Sequence, residues 1–133
     1  MSRTKKTSAD ACACGGGAYA TCCGRFLDQG GTPETAEQLM RSRYTAYVRG
    51  NDAWLRQTWH PDTCPEGAIS DASSKWLGLE VRRHEQHGDE ASVEFVARYK
   101  VGGRAHRLHE VSRFVREQGR WIYVDGTFPE ARP

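Results

Sequence analysis

The chain has 133 residues, enough for one domain of ordinary size with a short appendage. Hydrophobic residues make up 38% and charged residues 27%, which suits a globular protein with a modest core. No apolar run approaches the roughly 18 residues that a membrane span needs, and a formal charge of +2 is too small to point to nucleic acid. The basic start, Met1 to Thr7, leads into no apolar stretch of the kind a secretory signal carries, so a cytoplasmic location is expected.

Cysteines come first in chain order. Cys12, Cys14, Cys22 and Cys23 fall within twelve positions, in the run Cys-Ala-Cys-Gly-Gly-Gly-Ala-Tyr-Ala-Thr-Cys-Cys-Gly. In a reducing compartment, clustered thiols read as metal ligands before they read as disulfides. Adjacent Cys22 and Cys23 are poorly placed to bridge each other, whereas a tetrahedral ion can gather thiolates from two short segments. Gly15, Gly16 and Gly17 between the pairs permit a tight loop, and Gly24 comes after the second pair. The expected ion is one structural Zn²⁺ per chain, with a redox dithiol as the alternative. Four thiolates on one Zn²⁺ leave a charge near −2, for which Lys5, Lys6 and Arg25 are the available counter-charges. Four protein ligands leave no open position, so the metal is expected to be a fold element rather than a catalyst.

Residues 28–133 read as one α+β domain behind this knuckle of residues 1–27. Thr32-Pro33-Glu34 predicts a helix start, with Thr32 as cap and Pro33 at the first turn. Ala36, Met40, Tyr44, Tyr47 and Val48 repeat at helical spacing, and Gly50 marks the stop. Asn51 predicts the cap of a second helix running through Trp59 and ended by Pro61. Residues 62–75 read as a loop or irregular helix.

From Trp76 onward the period becomes two. Strands are expected over 76–86, 91–101, 104–116 and 120–125, joined at His87-Gly88-Asp89, Gly102-Gly103 and Gln118-Gly119. Val93, Phe95, Ala97, Tyr99 and Val101 alternate with Glu94, Arg98 and Lys100. Helices succeeded by hairpins predict helices packed on one face of an antiparallel sheet, which cups a pocket if strongly curved.

The cysteine run resembles the SEC-C zinc motif. The rest of the chain resembles the YchJ family through Leu39-Met40-Arg41-Ser42-Arg43-Tyr44, Thr58-Trp59-His60-Pro61, Trp76-Leu77-Gly78-Leu79, Val93-Glu94-Phe95-Val96-Ala97-Arg98 and Tyr123-Val124-Asp125-Gly126-Thr127. The loop between the cysteine pairs is shorter than that motif usually has, and Ala13 stands where Pro is common. This resemblance implies zinc binding and a nuclear transport factor 2-like (cystatin-like) cone, but no reaction. It also implies a protein partner, of the translation or secretion machinery.

Arg43 lies in the apolar stripe of the first helix and must find a partner or an anion, since a buried lone charge is costly. Glu94, Glu110 and Asp125 are available carboxylates, and Arg98 and Arg113 are further cations. These residues form either a structural ion-pair network or, with Arg43 as a bidentate donor and Tyr47 beside it, a pocket for a small polar or anionic ligand. His60 is either a general base or the C-terminal cap of the second helix. His106 and His109, three apart on a strand, point to opposite faces and make a poor metal pair.

Three functions, from different classes, fit these residues. The first is an interaction or adaptor protein with a ligand pocket in its cone. The second is an acid–base enzyme using Asp125, Glu94 or His60, and the third is a module whose open sheet face pairs in a homodimer.

Overall fold

The structure, a computed structural model, describes residues 11–129. Lys5 and Lys6 therefore lie outside the described residues. A 3₁₀ turn, Tyr19–Thr21, and a short helix α1, Gly24–Leu27, come after the first cysteines. Helix α2 spans Ala36–Arg49 and helix α3 spans Asp52–Gln57. Four strands complete the fold: β1 Ser74–His87, β2 Glu90–Val101, β3 Arg104–Glu117 and β4 Arg120–Thr127. They pair antiparallel in the order β1-β2-β3-β4. Among the described residues, no helix is long and apolar enough to cross a membrane.

Helix α2 starts three residues later than Thr32-Pro33-Glu34 predicts. Thr35 is the cap, and its hydroxyl accepts from Gln38 N at 3.1 Å. The Gln38 side chain reaches back to Glu34 N at 2.7 Å, so two otherwise orphaned amides are satisfied at once. Gly50, at φ 70°, ends the helix in the left-handed region. Asn51 then caps α3 by accepting from Trp54 N at 3.0 Å.

Helix α3 ends at Gln57 rather than Trp59. The Thr58 hydroxyl donates to Trp54 O at 2.7 Å, and the chain then leaves to run beside β4. There Tyr123 N donates to Thr58 O and His60 N to Tyr123 O, each at 2.8 Å. This covers part of an otherwise open sheet edge.

Three bulges curve the sheet. They lie between Trp76 and Gly78, between Val81 and Arg83, and opposite Arg113/Phe114 on β4. The hollow face carries Trp76, Leu79, Val81, Val93, Phe95, Ala97, Leu108 and Phe114, and it packs on Leu39, Met40 and Tyr44 of α2. Trp54 of α3 is anchored below, its indole N–H donating to Ser42 Oγ at 2.9 Å.

Candidate functional site: a cysteine centre and a cone cavity on one helix

Residues 11–23 fold so that four sulfurs converge. Cys12 N donates to Gly17 O at 2.7 Å, closing the loop between the cysteine pairs. The four Sγ atoms lie within 4.8 Å of one another, and all four residues are buried. Tetrahedral zinc–sulfur bonds of about 2.3 Å put sulfurs about 3.8 Å apart, so this cluster fits such an ion. Gly16 lies against the sulfurs. A Cβ there would stand 2.9 Å from Cys22 Sγ and 3.3 Å from Cys14 Sγ.

The sulfurs are also coupled electrostatically. Hydrogen bonding from the Cys23 thiol holds Cys14 down to about 5, while burial pushes Cys22 up to about 11. A cation is needed before all four can ionise, and its binding expels protons.

Helix α2 provides the surroundings of this centre. Thr45 Oγ1 donates to Cys23 Sγ at 3.4 Å and lies 3.6 Å from Cys12 Sγ. Arg41 Nη1 donates to Cys14 O at 2.9 Å, and Arg25 Nε donates to Cys22 O at 2.8 Å. Cationic groups thus sit beside a centre that would be anionic when loaded.

The sheet-facing side of the same turns of α2 walls an open cavity of about 230 Å³. Met40, Tyr44, Tyr47, Trp76, Phe95 and Phe114 supply its apolar wall, and Arg43, Glu110, Ser112 and Tyr123 supply its polar groups. Arg43 is only 5% exposed. Its Nη1 donates to Leu55 O at 2.9 Å and to Thr58 Oγ1 at 2.7 Å. The guanidinium carbon lies 4.8 Å from the centre of the Trp59 ring and 4.5 Å from that of Tyr123. Among the described residues, no carboxylate forms an ion pair with it. Burial pulls its pKa down, opposed by Tyr47, Tyr123 and Glu110 nearby, yet an arginine stays charged at neutral pH.

Glu110 is 7% exposed. Its Oε2 accepts from Ser112 Oγ at 2.8 Å and from Tyr123 OH at 2.9 Å. Gly126 makes room for it, since a Cβ at that position would land on the Glu110 carboxylate. Burial raises the phenol pKa of Tyr44, Tyr47 and Tyr123 above the usual value. Because the folded values exceed the unfolded one, their contribution is complete below about pH 10 and is lost as pH climbs past it. Urea melts at rising alkaline pH should therefore show stability falling together with the appearance of tyrosinate absorbance. Constant stability across that range would contradict the burial of these phenols.

Residues 35–126 match the model of a family described as YchJ, middle NTF2-like domain. The chain belongs to the YchJ family. A UPF0225 protein of Cupriavidus metallidurans is 61% identical over 126 residues, covering 90% of this chain and 89% of that one. The solution structure of a SEC-C motif containing protein from Rhodopseudomonas palustris is also similar. It has 32% identity and a TM-score of 0.77, and the match covers 89% of this chain and 98% of that one. An epoxide hydrolase of M. tuberculosis, described as LEH-like, shares the fold alone, with 14% identity and a TM-score of 0.51 over 74% of this chain and 82% of that one. The α+β cone with an N-terminal cysteine cluster is thus the architecture of this YchJ-family protein.

Of the residues expected to build the pocket, Arg43, Tyr47 and Glu110 line the cavity, and the others do not. Glu94 and Arg98 alternate with Val93, Phe95 and Ala97, so the pleat turns them to the outer face. There Glu94 Oε2 lies 2.7 Å from His109 Nε2. Arg113 and Asp125 form a two-bond pair at 3.1 Å, more than half exposed, also on that face. The ion-pair network is therefore corrected. Its members are split across the two faces of the sheet, and Arg43 joins none of them.

His60 also stands apart from the cavity, and it does not cap α3. Its Nδ1 accepts from Asp62 N at 3.1 Å, and its Nε2 lies 3.6 Å from Glu117. Trp59 has left the helix, so helical spacing does not govern how it and Trp54 are placed. Sequence reasoning misses Ser112 and Tyr123 as polar lining. Ser112 is legible from period two, since it falls between Glu110 and Phe114 on one face. Asp125 is not, because a bulge at Val124 turns it outward and brings Gly126 in.

Proposed function

We propose that this is a zinc-stabilised ligand-binding protein whose cone holds a small polar or anionic molecule. The observation that carries the reading is Arg43. It is a buried guanidinium without a carboxylate partner among the described residues, with one nitrogen engaged by the protein, at the wall of an aromatic cavity. A fold that needed only packing there would keep an apolar side chain, because burying an unpaired charge costs several kcal/mol.

Zinc is the proposed ion because the donor set is four sulfurs, which favour a soft tetrahedral metal, and the set leaves no open position for a substrate. The centre is buried against α2 and its carbonyls are tied by Arg25 and Arg41, which supports a structural role rather than a displayed docking surface. A fragment screen read by nuclear magnetic resonance should move signals of Tyr47, Phe114 and Tyr123. Metal analysis of the same sample should find about one zinc per chain. A screen that leaves those signals untouched would remove the binding function.

A further inference from the structure

We infer that the cavity selects an uncharged planar molecule carrying a carbonyl acceptor beside an N–H donor, that is, an aromatic amide or lactam rather than an anion. This rests on reading the cone as a ligand site and narrows that reading to a chemical class. Two unspent polar functions remain once the bonds among the described residues are counted. Arg43 uses Nη1 on Leu55 O and Thr58 Oγ1, while Nε and Nη2 donate to no acceptor among those residues. Glu110 uses Oε2 for the hydroxyls of Ser112 and Tyr123, while Oε1 accepts from no donor among them. Both side chains line the same cavity without pairing with each other.

The cavity therefore offers donors of positive charge and an acceptor of negative charge. A carboxylate ligand would satisfy Arg43 but would meet the like charge of Glu110, a repulsion that low local dielectric strengthens. A cationic ligand would face the reverse. An amide supplies its oxygen to the guanidinium and its N–H to the carboxylate, and it brings no charge of its own. Such pairing is also discriminating, since an analogue lacking one partner leaves a buried group unpaired.

The walls are aromatic and suit an aromatic ring. Trp76 stands 5.6 Å from Tyr44 and 5.9 Å from Tyr47, and Phe114 stands 5.7 Å from Tyr123, each measured between ring centres. A volume of about 230 Å³ exceeds the roughly 150 Å³ of an apolar cavity that takes up benzene, so a substituted aromatic ring fits.

Benzamide and benzoate test this directly, because they share a shape and differ in charge and in the N–H donor. Calorimetric titration of the zinc-loaded full chain should show benzamide binding at least about tenfold more tightly than benzoate. Arg43→Met should weaken benzamide by about tenfold or more. Glu110→Gln keeps an acceptor oxygen for Ser112 and Tyr123, so the fold is retained. It removes the repulsion, and benzoate should then draw level with benzamide or pass it.

Tighter binding of benzoate by the wild-type protein would overturn the amide assignment while leaving a ligand site in place. An unchanged preference in Glu110→Gln would overturn it too. If neither probe binds, the assignment fails, and the fragment screen decides separately whether any ligand site exists.

Discussion

Replacing Cys23 by serine is expected to strip the proposed zinc and lower the melting temperature by roughly 10 °C or more. A serine hydroxyl does not ionise near neutrality and cannot stand in for a thiolate, so three sulfurs would be left to hold the ion. Structural zinc contributes on the order of 10–16 kcal/mol of apparent binding energy in small zinc modules. Whole domains are stable by only about 5–15 kcal/mol, and each kcal/mol lost moves the melting point by roughly 3–4 °C at this size.

The effect should spread past the knuckle. Cys23 accepts from Thr45, and the cysteines share one buried cluster with Phe26, Leu39 and Met40. Metal analysis by mass spectrometry and thermal melting by circular dichroism would measure both parts. Unchanged zinc content in Cys23→Ser would mean that the ligand set is wrong.

Arg43 should separate packing from charge. Arg43→Ala is expected to cost about 3–5 kcal/mol, in the range of a large buried side chain cut to a methyl. The guanidinium packs against the touching rings of Trp59 and Tyr123 and ties α3 to α2 through Leu55 O and Thr58. Arg43→Met keeps much of that volume and strands no carboxylate, since none among the described residues is paired with it. Its loss should stay within about 2 kcal/mol, because exchanging a buried charge for an apolar side chain is often near neutral. Urea denaturation of the two variants is the measurement. Equal losses would mean that the hydrogen bonds, rather than the filled volume, hold this part of the fold.

Local rules made the sheet legible. Gly102-Gly103 and Gln118-Gly119 mark turns by their chemistry, and Gly119 and both glycines of the first pair adopt positive φ. Period two likewise placed the apolar residues of β2 on one face. The cap of α2 was harder, because Thr32 and Thr35 are both competent caps. Gln38, which bonds back along the chain, decided between them.

The ends of α3 show the same division. Asn51 acts locally and is readable. The exit at Thr58 depends on bonds to Tyr123, a residue far along the chain that local pattern does not identify as its partner.

What the amino-acid sequence by itself determined is the cysteine cluster, the order of helices and strands, and the need of Arg43 for company. Each stems from spacing, turn chemistry or the cost of a buried charge, all of which act within a few residues. Only the tertiary structure decided which groups share the cavity. The pleat and the bulge at Val124 sent Glu94, Arg98, Arg113 and Asp125 outward and left Glu110 facing in with Arg43. A single extra residue in a strand reverses the face of every later residue in it, and the bulge is fixed by pairing with a neighbouring strand.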